Sequence, residues 1–199
     1  SYVKPKPGSK VLDVATGTGA VAVPFAQAIG AGGRVTAVDF SAEMLDRAEA
    51  NIRKMALDNV DLHEMDAERL DFRSNYFHSV VCSYGLFFLP DMPRALREWV
   101  RVLRPGGLLM FTTFGPDTLK ELRAAWSQVD GHAHVSRFPD MHDLGDALVR
   151  ARFADPVMDA DRMTLTYEQV GGLMRDLKVL GAHNVSLGRA RGLTGKGRM

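Results

Sequence analysis

Apolar runs alternate along the chain with amphipathic stretches, and that alternation predicts a fold class before any motif is read. The runs are Lys10 to Ala15, Arg34 to Phe40, Val60 to Met65, Phe77 to Ser83 and Gly107 to Phe114, each short enough for a strand. Between them, Ser41 can cap a helix whose Met44, Leu45, Ala48, Ile52 and Met55 share one face. Asp91 with Pro93 opens a second helix bearing Leu96, Trp99, Val100 and Leu103, which stops at "RPGG", Arg104 to Gly107. Further on, an amphipathic helix is expected from Asp140 to about Ala151, then a strand over "VMDADRMTLTY". Thr166 with Gln169 forms a capping box for a last helix bearing Val170, Leu173, Met174, Leu177 and Leu180. The order of elements predicts an α/β fold, a doubly wound Rossmann-like parallel sheet with helices on both faces.

Composition narrows this without changing it. A chain of 199 residues, 46% apolar, can bury one sizeable core and is short for two full domains. No run of 18 apolar residues occurs, and "SYVKPKPGSK" has no apolar signal core behind its lysines, so neither membrane insertion nor secretion is expected and a cytoplasmic location is. The single cysteine, Cys82, lies in the apolar run "SVVC" and reads as core. The formal charge of +1 hides an asymmetry: residues 171 to 199 carry Arg175, Lys178, Arg189, Arg191, Lys196 and Arg198 against Asp176 alone. Such an end could face an acidic partner or simply be solvated.

The stretch "VLDVATGTGAVA", Val11 to Ala22, hands a strand over to a helix through Gly17 and Gly19, where backbone amides can meet a polar ligand. Gly17-x-Gly19-x-x-Ala22 also satisfies the dinucleotide fingerprint, and Asp39, 20 residues after Gly19, could take a ribose diol in either kind of site. Asp13, inside the first strand, separates the two readings. A carboxylate there would repel a pyrophosphate but suits a ligand with an ammonium group. S-adenosylmethionine has that group, a ribose diol for Asp39, and an adenine amine for Asp66 in "EMDAERL", so three acids at three successive strand ends fit it.

Taken in order, "VLDVATGTG", "VTAVDFSAEML", "EMDAERL" and "VLRPGG" resemble the successive motifs of class I S-adenosylmethionine-dependent methyltransferases over about the first 115 residues. The resemblance implies that Asp13, Gly17 and Gly19 hold the methionine end, Asp39 the ribose, and Phe40 and Met44 the adenine faces. It places Asp66 and Ala67 at the adenine amine and Ser83 and Tyr84 where the fourth strand opens toward the methyl group. Ala15 departs from the pattern, which usually has glycine there. Residues 1 to 115 are thus expected to be the cofactor-binding core and 116 to 199 a substrate or lid segment of the same domain. The resemblance also implies a final antiparallel strand, for which no segment after "MTLTY" is suited, and a substrate-covering helix before Ser1.

Past "RPGG", the stretches "LLMFTTFGPDTLKELRAAW", "HVSRFPDMHDLGDALVRARFADPVMD" and "MTLTYEQVGGLMRDLKVLGAHN" resemble the malonyl-acyl-carrier-protein O-methyltransferases of biotin synthesis. Residues 34 to 105 look as much like the quinone-biosynthesis C-methyltransferases. Ring C-methylation needs a base, whereas a free malonyl carboxylate is already ionised at neutral pH. For that acceptor one cation should hold the malonyl end: Arg137 is the first candidate and Arg123 the second, both in the insert after the fifth strand. An acidic, malonyl-loaded acyl carrier protein is then the expected partner, with Arg189, Arg191, Lys196 and Arg198 as its docking charges. His132, His134 and His142 have no recognised metal spacing, so no metal is expected, and no N-P-P-Y-like motif points to nucleic acid. A non-catalytic S-adenosylmethionine-binding fragment is the reading from another class, and an NADH-dependent oxidoreductase a further one. Finally, the family tends to place glycine at the position of Arg152, which predicts a left-handed residue at the end of the helix before it.

Overall fold

The computed structural model describes residues 5–129, 132 and 134–179. Its elements are β1 (Lys10–Val14), α1 (Ala22–Ile29), β2 (Arg34–Asp39), α2 (Ala42–Lys54), β3 (Val60–Glu64), β4 (Phe77–Ser83), a 3-10 turn (Leu86–Phe88), α3 (Met92–Val102), β5 (Leu103–Thr112), α4 (Lys120–Ser127), α5 (Met141–Arg150) and α6 (Val170–Val179). The strands form one sheet in the order β3-β2-β1-β4-β5, and every pairing in it is parallel. This is the expected doubly wound α/β fold. The order reverses between β1 and β4, so right-handed crossovers send α1 and α2 to one face and α3 to the other. Ligands in such sheets bind at the carboxyl ends beside that reversal.

The chain divides into two compact units, Ser1–Thr113 with Gly145–Pro156, and Phe114–Leu144 with Val157–Met199. The sheet and α1 to α3 belong to the first. There Val11, Val35, Ala37 and Val81 of three adjacent strands pack with Ala22, Ala26 and Ile29 of α1. Trp99 and Phe77 are the largest fully buried side chains. Cys82 is core as expected, and burial pushes its thiol up to about 12, where it is inert at neutral pH. The end of α5 carries the predicted left-handed residue: Arg152 has φ 72°, with Arg152 N–H donating to Val149 O (2.9 Å) and Phe153 N–H to Leu148 O (3.0 Å). That pair of bonds is a Schellman cap.

Three expectations need correction. β5 starts at Leu103 rather than Gly107 and ends at Thr112 rather than Phe114, because "RPGG" bulges within the strand. Phe77 pairs with Leu103 and Ser79 already with Leu108, while Gly106 takes φ 71° to make the detour. The stretch "VMDADRMTLTY" is not a strand: it pairs with nothing among the described residues and leaves Val157, Met163 and Leu165 exposed. Alternating sequence makes a strand only where a neighbour can take its backbone hydrogen bonds. The last helix begins at Val170 and not after Thr166. Instead of a capping box, the Tyr167 ring lies close over Gly172 and its hydroxyl donates to Asp176 Oδ2 at 3.1 Å. The periodicity also passed over α4, whose residues include no buried side chain to mark a face.

Candidate functional site

Every residue expected to hold the cofactor lies in the first unit, at or just beyond the carboxyl ends of β1 to β4. Asp13 faces Ala37 of β2 and Val81 of β4 in the register and is almost wholly buried. Its Oδ2 accepts the Thr16 hydroxyl at 2.6 Å, while Oδ1, equally buried, has no hydrogen-bond partner. Burial pushes the Asp13 carboxyl up to about 7; the Thr16 hydroxyl and the Ala22 amide, which is near the carboxyl but outside hydrogen-bond geometry, pull it down, and the charge of Asp39 adds to the rise. A buried carboxyl with an orphaned oxygen is costly unless something cationic or hydrogen-bonding completes it.

The loop that follows is built on left-handed residues: Ala15 at φ 55°, Gly17 at 55° and Gly19 at 81°. Gly19 N–H donates to Thr16 O at 2.9 Å, and Gly19 O accepts Val23 N–H in the first turn of α1, which has no side-chain cap. A Cβ at Gly17 would meet nothing within 4 Å, so that side of the loop is open. Ala15 tolerates its methyl because the chain makes room elsewhere: a Cβ at Gly85 would sit 2.6 Å from Ala15 Cβ. The departure at position 15 is thus matched by a glycine just beyond the end of β4, at the start of the 3-10 turn.

Asp39 closes the arrangement from β2. Its Oδ2 accepts Gly17 N–H at 2.8 Å and its Oδ1 accepts Ser41 N–H at 2.9 Å, so the carboxylate ties the glycine loop to the start of α2. Each oxygen keeps a lone pair for a further donor. Phe40 projects from the next position with 79% of its surface exposed, and Met44 is half-buried in the first turn of α2. On β3's side, exposed Asp66 accepts Glu68 N–H at 2.8 Å through Oδ1, and the buried Ala67 gives its carbonyl to Trp99 Nε1–H at 3.1 Å. At the end of β4, the Ser83 and Thr112 hydroxyls share a 3.2 Å hydrogen bond, and Tyr84, left-handed at φ 53°, donates its N–H to Thr112 O at 2.9 Å.

Both candidate arginines lie in the second unit. Arg123 is committed: its guanidinium donates to the carbonyls of Ser136, Pro116 and Thr118, at 3.1, 2.8 and 2.8 Å, and so fastens the loop around α4. Arg137 is exposed, two residues beyond buried Val135. His134 stacks on Trp126 at 4.0 Å. Arg189, Arg191, Lys196 and Arg198 fall outside the described residues. The sequence reading missed Thr16, Thr112, Glu68 and Trp99. Thr16, three residues after Asp13, and Glu68, two after Asp66, stood close enough in sequence to be found, whereas Thr112 and Trp99 did not.

A surface depression of about 620 Å³ beside β3, lined by Leu45, Glu49, Ile52, Leu57 and Leu62 among others, includes none of the expected cofactor residues. The residues at the strand ends do fit S-adenosylmethionine: an orphaned carboxyl oxygen for an ammonium group, an open glycine loop, and an exposed aromatic face for a flat ring.

The ubiE/COQ5 methyltransferase family matches residues 1–141. A malonyl-[acyl-carrier protein] O-methyltransferase of Laribacter hongkongensis is 45% identical over 94% of this chain and 65% of its own length. A protein of the same name from a Methylovorus species is 44% identical over 94% of this chain and 64% of its own. This chain therefore spans just under two thirds of those relatives. In fold, the crystal structure of a SAM-dependent methyltransferase from Aquifex aeolicus superposes with a TM-score of 0.60, at 21% identity, over 74% of this chain and 73% of that one. No described helix is long and apolar enough to cross a membrane. Matched across most of its length by both sequence and fold, the chain belongs to the ubiE/COQ5 methyltransferase family.

Proposed function

We propose that this chain carries the S-adenosylmethionine-binding core of an O-methyltransferase that esterifies the free carboxylate of a malonyl group held on acyl carrier protein. The observation that carries the cofactor half is Asp13: a buried carboxyl with one orphaned oxygen beside an open glycine loop suits an ammonium group. Asp39 would take the ribose hydroxyls on the lone pairs its amide partners leave free, Phe40 and Met44 would flank the adenine, and Asp66 and Ala67 would meet its amine. When bound, S-adenosylmethionine supplies a methyl group on a positively charged sulfur. Ser83 and Tyr84, at the end of β4, would lie on the side toward which that methyl points.

The acceptor half is supported by the names of the two relatives. A malonyl carboxylate is already an anion at neutral pH, so the protein need supply no base. Its task is to place one oxygen in line with the methyl group and keep water from solvating it. Arg137 is the residue proposed to hold the carboxylate, since Arg123 is spent on three carbonyls. Methylation removes the charge that the arginine reads, so product release follows from the contact that gave specificity. The basic residues Arg189, Arg191, Lys196 and Arg198 are proposed to meet the acidic carrier, and such docking weakens as salt rises.

The test is methyl transfer from labelled S-adenosylmethionine to malonyl and acetyl thioesters, with the product read by mass spectrometry. A methyl ester on the malonyl thioester alone is the expected result. Methylation at a ring carbon of a quinone precursor would support the C-methyltransferase reading that the family name suggests. Cofactor binding with no transfer to either class of acceptor would leave a binding fragment.

A further inference from the structure

In a capping box, the N-cap side chain takes the N–H of position N3, and a Glu or Gln at N3 reaches back to the N–H of the cap. At α3 only the first half is local. Asp91 Oδ1 accepts Arg94 N–H at 2.9 Å, but Arg94 has no acceptor with which to return the bond. The returning carboxylate is Glu68, whose Oε1 accepts Asp91 N–H at 2.7 Å from 23 residues earlier in the chain. Glu68 is itself buried, at 8% exposure.

Glu68 belongs to the turn after β3 that carries Asp66 and Ala67. Asp66 holds it by its N–H, and the rest of the turn is fastened along α3. Trp99 donates to Ala67 O, Glu98 Oε2 accepts Leu70 N–H at 3.0 Å, and Arg101 donates to Leu70 O at 2.8 Å and Phe72 O at 2.7 Å. At its other end, the Glu68 bond stops the segment that leaves β4: left-handed Tyr84, the 3-10 turn Leu86–Phe88, and exposed Pro90 and Asp91. Tyr84 and Phe88 are each 40% exposed while Leu86 between them is fully buried, so packing holds the middle of the segment and the Glu68 bond fixes where its far end, at Asp91, lies.

We infer that Glu68 is a positioning residue coupling the turn at Asp66 and Ala67 to the segment 84–91, so that engaging the adenine edge also sets the segment beside the methyl site. This rests on the cofactor reading above. A carboxyl oxygen accepting from a backbone N–H at 2.7 Å makes a short, directional bond of the kind that transmits position.

Amide hydrogen exchange of the whole protein, with and without saturating S-adenosylhomocysteine, tests this without turnover. In the wild type the ligand should slow exchange at 13–19 and 39–44, and also at 86–94. Glu68→Gln keeps the shape and a weaker acceptor; it should cut the protection at 86–94 by about fivefold, the gap between a charged and a neutral acceptor, and leave that at 13–19. Glu68→Ala should abolish protection at 86–94. With Trp126→Phe in place, Trp99 is the sole tryptophan, and its fluorescence should respond to ligand in the wild-type background and less so with Glu68→Gln. Equal protection of 86–94 in wild type and Glu68→Gln overturns the coupling, as does a wild type in which ligand protects 13–19 but never 86–94. Absence of protection anywhere in the wild type instead removes the cofactor reading, and the coupling with it.

Discussion

The two units differ in how their residues are held. In the first, β1, β2 and β4 place Val11, Leu12, Val14, Val35, Val38 and Val80 wholly out of solvent, and the expected cofactor residues sit where those strands end. In the second, α4 has no buried residue, the stretch 159–167 lies exposed, and side-chain bonds such as Arg123 to three carbonyls and Arg162 to Asp117 (2.8 Å) set the local shape. The comparison separates two tasks. A cofactor common to many reactions can be held by the rigid ends of a sheet, whereas under the proposed function the acceptor would be recognised by segments fastened with a few polar contacts, which sequence periodicity does not describe.

The comparison breaks most visibly on truncation. Trp99→Ala should cost about 3–5 kcal/mol of stability, since it opens a cavity in the first unit and strands the Ala67 carbonyl. Leu165→Ser, in the second, should stay within about 0.5 kcal/mol. Urea denaturation of both measures this, and comparable costs would erase the distinction.

The next effect is pH. Asp13 is raised from 3.8 to about 7, so between those values the folded protein keeps a proton that the unfolded chain releases. Stability without ligand should therefore fall as pH rises from about 4 to about 7, by up to roughly 4 kcal/mol at 1.36 kcal/mol per unit. An ammonium ligand wants the carboxylate, so cofactor affinity should move the opposite way, rising with pH and levelling above about 7. Asp13→Asn should flatten both dependences and weaken binding. Melting and titration calorimetry across pH 5 to 8 check the paired signs.

Asp39→Ala follows. It removes the acceptor of Gly17 and Ser41 amides as well as the proposed ribose contact, and should weaken cofactor binding by about 2–3 kcal/mol, with a smaller fall in Tm. Binding unchanged in a folded variant would remove Asp39 from the site. Smallest is Arg152→Gly, which frees a left-handed position from its side chain and should stabilise by roughly 1 kcal/mol; Ala15→Gly should do likewise at φ 55°. A lower Tm in either would show that the side chain earns more than its backbone strain costs.

Much of the first unit was legible because burial and hydrogen bonding act locally there. Strand starts and ends came within a few residues from apolar runs, and Ser41 and Asp91 cap the helices they were expected to cap. The reach of Asp39 to Gly17 and of Glu68 to Asp91 was not legible, since each joins residues more than 20 apart whose meeting depends on strand order. The "VMDADRMTLTY" stretch misled for the converse reason. Its alternation is real, but a strand is defined by its neighbour, and none among the described residues takes it.

The central claim is that the strand ends of the first unit hold S-adenosylmethionine through a buried acid. Calorimetric titration of S-adenosylhomocysteine at pH 6, in buffers of differing ionisation enthalpy, tests it directly. One-to-one binding with release of close to one proton, and none in Asp13→Asn, is the predicted result. Binding without proton release, or displacement of the ligand by NADH, would contradict it.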